Sequence, residues 1–352
     1  MDKSKKEAVQ NILIIKLSSM GDIIHSLPVS QALKALYPDA RISFLVNRQY
    51  QDILAGNPFI DEIFLFDRNI WNQFPKSIFS IVKLVNEIRK KSFDLVIDLQ
   101  GLLRSGLLAW AASGKKVIGF NNSREGSRFF YDQRISVPNE NIHAVDRYFL
   151  IPKTMGWKEK PQFNIEICEK DKVFIEDFIK AEKVKSYLKL IGIQPVARWK
   201  TKEWSGANFA KLADLIQQNQ ECQVVFFGSR EELLQVQKIV RQMTSLPIIA
   251  TGKLTLKQLA ALLKRCEMLI TNDSGPMHLA AALNIPVIAL FGATDFRMTG
   301  PYGDQHLILH KGVLCSPCFS RNCLNKNRPM ECMETITPEE VFEAFKKIVK
   351  IS

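Results

Sequence analysis

Twice along this chain a short apolar run closes on a polar loop and passes directly into a segment with helical spacing. The first run, 11–17, ends in Ser18-Ser19-Met20-Gly21-Asp22, after which Ile23, Ile24, Leu27, Leu33 and Leu36 recur as a helix face. Apolar runs alternating with amphipathic helices point to parallel sheets covered on both faces, because successive parallel strands are joined by crossovers. Runs at 41–46, 94–98 and 117–120, with a helix near 78–91, continue the scheme. It restarts at 188–193 and runs on through a helix 208–219 and strands 223–227, 267–271 and 286–291. With 352 residues the chain suits two domains of about 150 residues each. The expected division is 1–165 and 166–336, joined across a charged connection carrying Pro152 and Pro161. A final segment, 337–352, opens Thr337-Pro338-Glu339-Glu340, with an N-cap residue, a first-turn proline and acids at the positive helix end.

Hydrophobic residues make up 46% and charged residues 24%, which excludes a disordered chain, and no window reaches the 18 apolar residues of a membrane span. The start Met1-Asp2-Lys3-Ser4-Lys5-Lys6 imitates a signal peptide, but the apolar run behind it stops at Lys16 and lacks a small-residue cleavage site. The expectation is a cytoplasmic protein. The net charge of +12 favours acidic partners: nucleic acid, an anionic membrane or phosphorylated substrates. A solvated basic surface explains it equally well. No arginine-rich tract, RNA-binding motif or Cys/His finger spacing supports nucleic acid, so none is expected as a partner.

In open α/β sheets ligands bind beyond the carboxyl ends of the strands, so the loops that follow strands carry the candidates. In the first, Gly21 lets backbone approach a substrate, and Asp22 lies in the first helical turn. Asp22 can be a general base, or simply an acid favoured by the helix dipole. The loop lacks the G-x-G-x-x-G fingerprint and the phosphate-loop Lys-Ser/Thr pair, which counts against a dehydrogenase or P-loop enzyme. Asp98-Leu99-Gln100-Gly101 reads as a strand-to-helix turn. Arg124, Arg128, His143 and Arg147 can capture phosphate or carboxylate, or be surface residues. In the second half Arg198-Trp199-Lys200-Thr201-Lys202-Glu203-Trp204 places cations at a strand end before a helix, a natural diphosphate site, with Trp204 as a packing residue. Gly228-Ser229-Arg230-Glu231-Glu232 puts acids where a ribose is often held. Asn272-Asp273-Ser274-Gly275-Pro276-Met277-His278 leads into a small-residue helix that can sit close to a ligand.

Lys16-Leu17-Ser18-Ser19-Met20-Gly21-Asp22, Asp98-Leu99-Gln100-Gly101-Leu102, the 198–204 segment and the 272–278 segment, followed by Gly292-Ala293-Thr294-Asp295, resemble in order the motifs of glycosyltransferase family 9. That family includes the ADP-heptose:lipopolysaccharide heptosyltransferases. The resemblance implies the GT-B fold: two facing Rossmann-like domains, acceptor on the first and donor on the second, with a C-terminal helix crossing back to the first. It implies an inverting, metal-independent transfer of heptose from ADP-L-glycero-D-manno-heptose to the lipopolysaccharide inner core, with Asp22 as base. Donor contacts would come from Arg198, Lys202, Glu232, Leu254, Asp273, Ser274, Gly275 and His278. Acceptor contacts would come from Ser19, Gly21, Arg124, His143 and Arg147. The acceptor would be a phosphorylated lipid A-core on the cytoplasmic face of an anionic inner membrane. A family member using another nucleotide sugar is the alternative; the joint presence of Asp22, Lys202 and Asp273 counts against a catalytically silent binding protein.

Two features lie outside those motifs. Lys76, Lys83, Arg89, Lys90 and Lys91 surround Ile70, Trp71, Phe74, Ile78 and Phe79, a mixture that suits lipid contact or an ordinary amphipathic helix. Cys315, Cys318, Cys323 and Cys332 fall within 18 residues, spacing compatible with structural zinc, an iron–sulfur cluster or reduced thiols. Cys222 and Cys266 sit in apolar segments and are expected to be small buried hydrophobes.

Overall fold

The computed structural model describes residues 9–67, 77–139, 141–218 and 221–349. Ile70, Trp71, Phe74 and Lys76, the last residue of the expected helix 208–219, and the basic N-terminal start lie outside the described residues. The chain forms two compact units, Met1–Glu166 and Ile167–Ser352.

Among the described residues the first unit holds six strands: β1 (Asn11–Ile15), β2 (Arg41–Asn47), β3 (Glu62–Phe66), β4 (Leu95–Asp98), β5 (Lys116–Phe120) and β6 (Gln133–Ile135). The second holds β7 (Lys189–Gln194), β8 (Cys222–Phe226), β9 (Ile248–Ile249), β10 (Cys266–Asn272), β11 (Val287–Phe291) and β12 (Leu307–His310). Their orders are β3-β2-β1-β4-β5-β6 and β12-β11-β10-β7-β8-β9. Counted within each unit, both sheets read third, second, first, fourth, fifth, sixth. Every strand pairing is parallel. This is the doubly wound arrangement, in which the chain changes direction between first and fourth strands and opens a crevice at their carboxyl ends. The switch points are therefore β1/β4 and β7/β10.

The central strands are almost wholly apolar because both of their faces are covered: Ile12, Leu13, Ile14 and Ile15 have no exposure, nor have Leu269 and Ile270. The helix Met20–Leu36 buries residues around its full circumference, including Ile23, Ile24, Leu27, Val29 and Leu33. The four outer strands β3, β6, β9 and β12 were not anticipated from sequence. β6 and β9 are only three and two residues long, and β3 and β12 stay part-exposed along much of their length, so their patterns carry little of the continuous apolar signal of a central strand.

The C-terminal helix forms where its capping residues place it. Pro338–Val349 begins with the anticipated cap, Thr337 Oγ1 accepting from Glu340 N at 3.2 Å and Glu340 Oε2 from Thr337 N at 3.0 Å. Val341, Ala344, Phe345 and Val349 bury an apolar stripe in a core cluster with Leu212, Met333 and Ile336.

Candidate active site

At the first switch point β1 delivers Asp22 and β4 delivers the turn that holds its loop in place. Ser19 N and Ser19 Oγ donate to Asp22 Oδ2 at 2.9 and 2.7 Å, closing a capping box at the helix start. Tyr148 OH donates to Oδ1 at 2.8 Å, and Lys16 Nζ stands 3.6 Å from the same oxygen. A carboxylate offers about four lone-pair sites; three hydrogen bonds leave one, and 37% of the Asp22 side chain remains accessible to use it. Burial alone would raise the Asp22 pKa, but Lys16, the Ser19 donors and His25 outweigh it and hold the carboxyl below the usual range. Lys16 is itself 3% exposed, lies 4.8 Å above the Tyr148 ring, and has its pKa lowered by burial against the pull of Asp22 and Asp98. Burial, followed by the Asp22 charge, pushes the Tyr148 phenol well above its ordinary value, so it stays a donor.

The β4 turn acts on this loop through Gln100. Its Oε1 accepts from both Leu17 N and Ser18 N at 3.1 Å, and Leu99 O accepts from Lys16 Nζ at 3.3 Å. Asp98 is fully buried and structural, as its place at a strand-to-helix turn suggested: it accepts from Gln100 N, Gly101 N, Ser105 Oγ and Tyr131 OH. Burial raises its pKa in spite of those four bonds.

Gly21 is buried beneath this site. The helix Ala144–Thr154 packs along Met20–Leu36 and brings His143 to 5.3 Å from His25, ring to ring. His143 Nδ1 accepts from Val145 N at 3.2 Å as the helix N-cap. Arg147 lies over the Phe120 ring at 4.7 Å and donates to Asn122 Oδ1 at 2.9 Å. Arg124 is exposed, its backbone N bonded to Gly101 O at 2.9 Å. Ser19, Gly21, His143, Arg147 and Arg124 thus all belong to the surroundings of Asp22, whereas Arg128 folds over Phe129 at 5.2 Å.

At the second switch point Lys202 Nζ meets Asp273 Oδ2 at 2.5 Å, and Thr294 Oγ1 donates to the same oxygen at 2.6 Å. Asp273 is 5% and Lys202 18% exposed at the side chain. Asn272 ties the two loops together: its Oδ1 accepts from Trp204 N and its Nδ2 donates to Pro195 O. Trp204 is packed as expected, 2% exposed with Nε1 donating to Ile336 O. Ser274 stands at the N-cap position of the helix Gly275–Ala282, whose first turn, with Gly275, follows Asp273, and His278 is buried in it. Arg198 is exposed at the start of the cationic loop.

Glu232 is joined to the same switch strand, accepting at Oε2 from Ser229 N at 2.7 Å and Gln194 Nε2 at 3.4 Å. Gly228, at φ +155°, lies so close that a Cβ there would meet Glu232 Oε2 at 3.0 Å and Thr251 Cγ2 at 2.8 Å. Leu254 stands half-buried on the adjoining loop, which Gly252 N bonds to Gly228 O.

The four late cysteines converge on one small cavity behind the cationic loop, which Thr201 and Ala293 also line, and Thr201 Oγ1 bonds Ser320 O at 2.6 Å. Burial and the neighbouring thiols push Cys332 up to about 11. Among the described residues no group of three or more His, Cys, Asp or Glu is arranged to hold a metal ion. Cys222 and Cys266 are buried, and burial raises their thiols to about 11 and about 12.

Residues 81–328 match the model of "Glycosyltransferase family 9 (heptosyltransferase)". The chain belongs to glycosyltransferase family 9. Lipooligosaccharide heptosyltransferase 2 of Campylobacter jejuni is 32% identical, over 94% of this chain and 96% of that protein. The glycosyl transferase family 9 crystal structure from Veillonella parvula superposes with a TM-score of 0.84 at 28% identity, covering 97% of this chain and 98% of the other. The Escherichia coli ADP-heptose lps heptosyltransferase II does so with 0.79 at 23%, covering 97% and 99%, a likeness of fold. The two doubly wound sheets are those of the GT-B fold. Among the described residues of this family 9 glycosyltransferase, no helix is long and apolar enough to cross a membrane.

At the Asp22 site, Tyr148, Lys16 and Gln100 escaped sequence reasoning. Tyr148 is 126 positions from its partner Asp22, and no local pattern links them. Lys16 and Gln100 stood inside the quoted motifs without a role; a lone cation ending a buried strand was the signal for Lys16.

Proposed function

We propose that the protein transfers heptose from ADP-L-glycero-D-manno-heptose to the lipopolysaccharide inner core, with inversion and without a catalytic metal. The observation that carries this reading is Asp22: a carboxylate kept ionised by Lys16 and retaining one open acceptor position at a switch point. Family membership supports glycosyl transfer, and the names of the similar proteins, heptosyltransferases of lipooligosaccharide or lipopolysaccharide, support the sugar and acceptor.

In this reading Asp22 takes the proton of the acceptor hydroxyl as its oxygen attacks the anomeric carbon. The bond from that carbon to the diphosphate breaks, and ADP leaves. Its growing charge is met by Lys202, the exposed Arg198 and the N–H groups at the start of Gly275–Ala282. One base and fixed cations suffice for direct displacement. Asp273 and Ser274 hold the sugar and phosphates, with His278 supporting them; Glu232 holds the ribose and Leu254 packs on adenine. Ser19, Gly21, Arg124, His143 and Arg147 hold the phosphorylated lipid A-core acceptor. The work is done at the cytoplasmic face of the inner membrane, which the +12 charge suits.

A donor panel tests the reading. ADP-heptose, ADP-glucose, UDP-glucose and GDP-mannose are each titrated by calorimetry and supplied with Kdo-lipid A and with a heptosylated acceptor. Tight binding and turnover with ADP-heptose are expected; preference for a uridine or guanosine donor sinks it.

A further inference from the structure

Among the described residues of the first unit, every large hydrophobic side chain left exposed lies on one group of elements. Phe79 (79% exposed), Ile78 and Val82 project from the helix Ser77–Arg89. Leu103, Leu107 and Trp110 (62%) form an i, i+4, i+7 stripe on Leu103–Ala111, opposite its buried stripe of Ser105, Leu108 and Ala109. Phe129 (71%) stands on the turn Ser127–Phe130. These pieces adjoin. Arg89 Nε donates to Ala111 O at 2.7 Å, joining the two helices. The turn packs on the second helix at Gly106, where a Cβ would meet Phe130 at 2.9 Å and Ser127 at 3.0 Å.

Leu103–Ala111 is thus apolar on two sides, one spent on the core and one turned outward. The charges on the same segments favour one sign: Lys83, Arg89, Lys90, Arg124 and Arg128 are exposed, against Glu87 and Glu125. Apolar side chains, including a tryptophan, ringed by basic residues make a surface complementary to anionic lipid, aromatic groups entering the headgroup layer while cations meet phosphates. A second copy of this chain fits poorly, because a two-fold contact would set this basic rim against itself.

We propose that the first unit docks on an anionic bilayer through the Phe79, Trp110 and Phe129 face. Arg124 links this face to the catalytic loop: its backbone N bonds Gly101 O, next to the Gln100 that pins residues 17 and 18. Docking there would present the Asp22 unit to an acceptor standing in the membrane. That benefit rests on the lipid-linked acceptor proposed above; the docking itself does not.

The test is co-sedimentation of the full chain with vesicles of phosphatidylethanolamine plus phosphatidylglycerol, and with phosphatidylcholine alone. Turnover is measured in parallel on an acceptor stripped of its acyl chains. The wild type is expected to bind the anionic vesicles and to be released by salt. The double substitution Phe79→Glu with Trp110→Glu should cut partitioning by about tenfold or more while leaving melting temperature and soluble-acceptor turnover unchanged. A wild type that ignores anionic vesicles, a double variant that binds as well as wild type, or a dimer that the substitution dissociates overturns the proposal. Vesicle binding without any heptose transfer would instead fault the proposed reaction and leave the docking face standing.

Discussion

The two units wind their sheets in the same order, yet their switch points are charged differently. In the first, Asp22 has Lys16 at 3.6 Å, too far for a direct hydrogen bond, and is hydrogen-bonded by neutral Ser19 and Tyr148. In the second, Lys202 and Asp273 are joined directly at 2.5 Å, with Thr294 on the same oxygen. One fold thus builds a solvent-reachable carboxylate in one unit and a cation braced by a buried acid in the other. What differs is which loop residue ends up in the crevice, not the architecture around it.

That contrast predicts separable damage. Asp22→Asn should show the largest effect, a loss of about 10²–10⁴ in turnover, with ADP affinity by calorimetry close to wild type. Near-normal turnover would deny Asp22 its role as base. Lys202→Met should act the other way, weakening ADP binding by about tenfold or more and lowering the melting temperature, because Asp273 is left buried beside an uncharged neighbour. Unchanged ADP affinity would remove Lys202 from the diphosphate site.

Gln100→Ala deletes two hydrogen bonds at the Asp22 loop, each worth about 1 kcal/mol. The expected outcome is about a tenfold fall in kcat with unaltered ADP affinity, and substantial rescue by Gln100→Glu, which keeps an acceptor oxygen in place. Equal loss in both variants would show that the residue merely packs. The smallest effect concerns pH. Lys16 is the strongest influence holding the Asp22 pKa down, so Lys16→Met should move the acid limb of the kcat/KM profile toward higher pH. The depressed folded-state pKa also means that the stability contributed by ionised Asp22 is present above its unfolded pKa and is lost only as pH falls through the lower folded value. An acid limb that stays put on substitution would assign the titration to another group.

Much of the architecture was legible because central parallel strands must be apolar on both faces, so 11–15, 95–98, 189–194 and 266–272 stand out as runs. The loops that follow them were found by the same rule, and with them Asp22, Lys202 and Asp273. Outer strands such as β9, two residues long, carry too little pattern to be read. The C-terminal helix was legible as an element from its Thr337 cap and the first-turn Pro338, Glu339 and Glu340.

Local sequence, then, determined strand, loop and helix start, since those depend on burial period and capping within a few residues. Only the tertiary structure decided that Tyr148 donates to Asp22, that Gln100 grips residues 17 and 18, and that Leu103, Leu107 and Trp110 face outward beside Phe79. Those relations join residues far apart in the chain, and they exist because crossover connections bring separate segments to one sheet edge or one face, a consequence of packing that no short stretch of sequence contains.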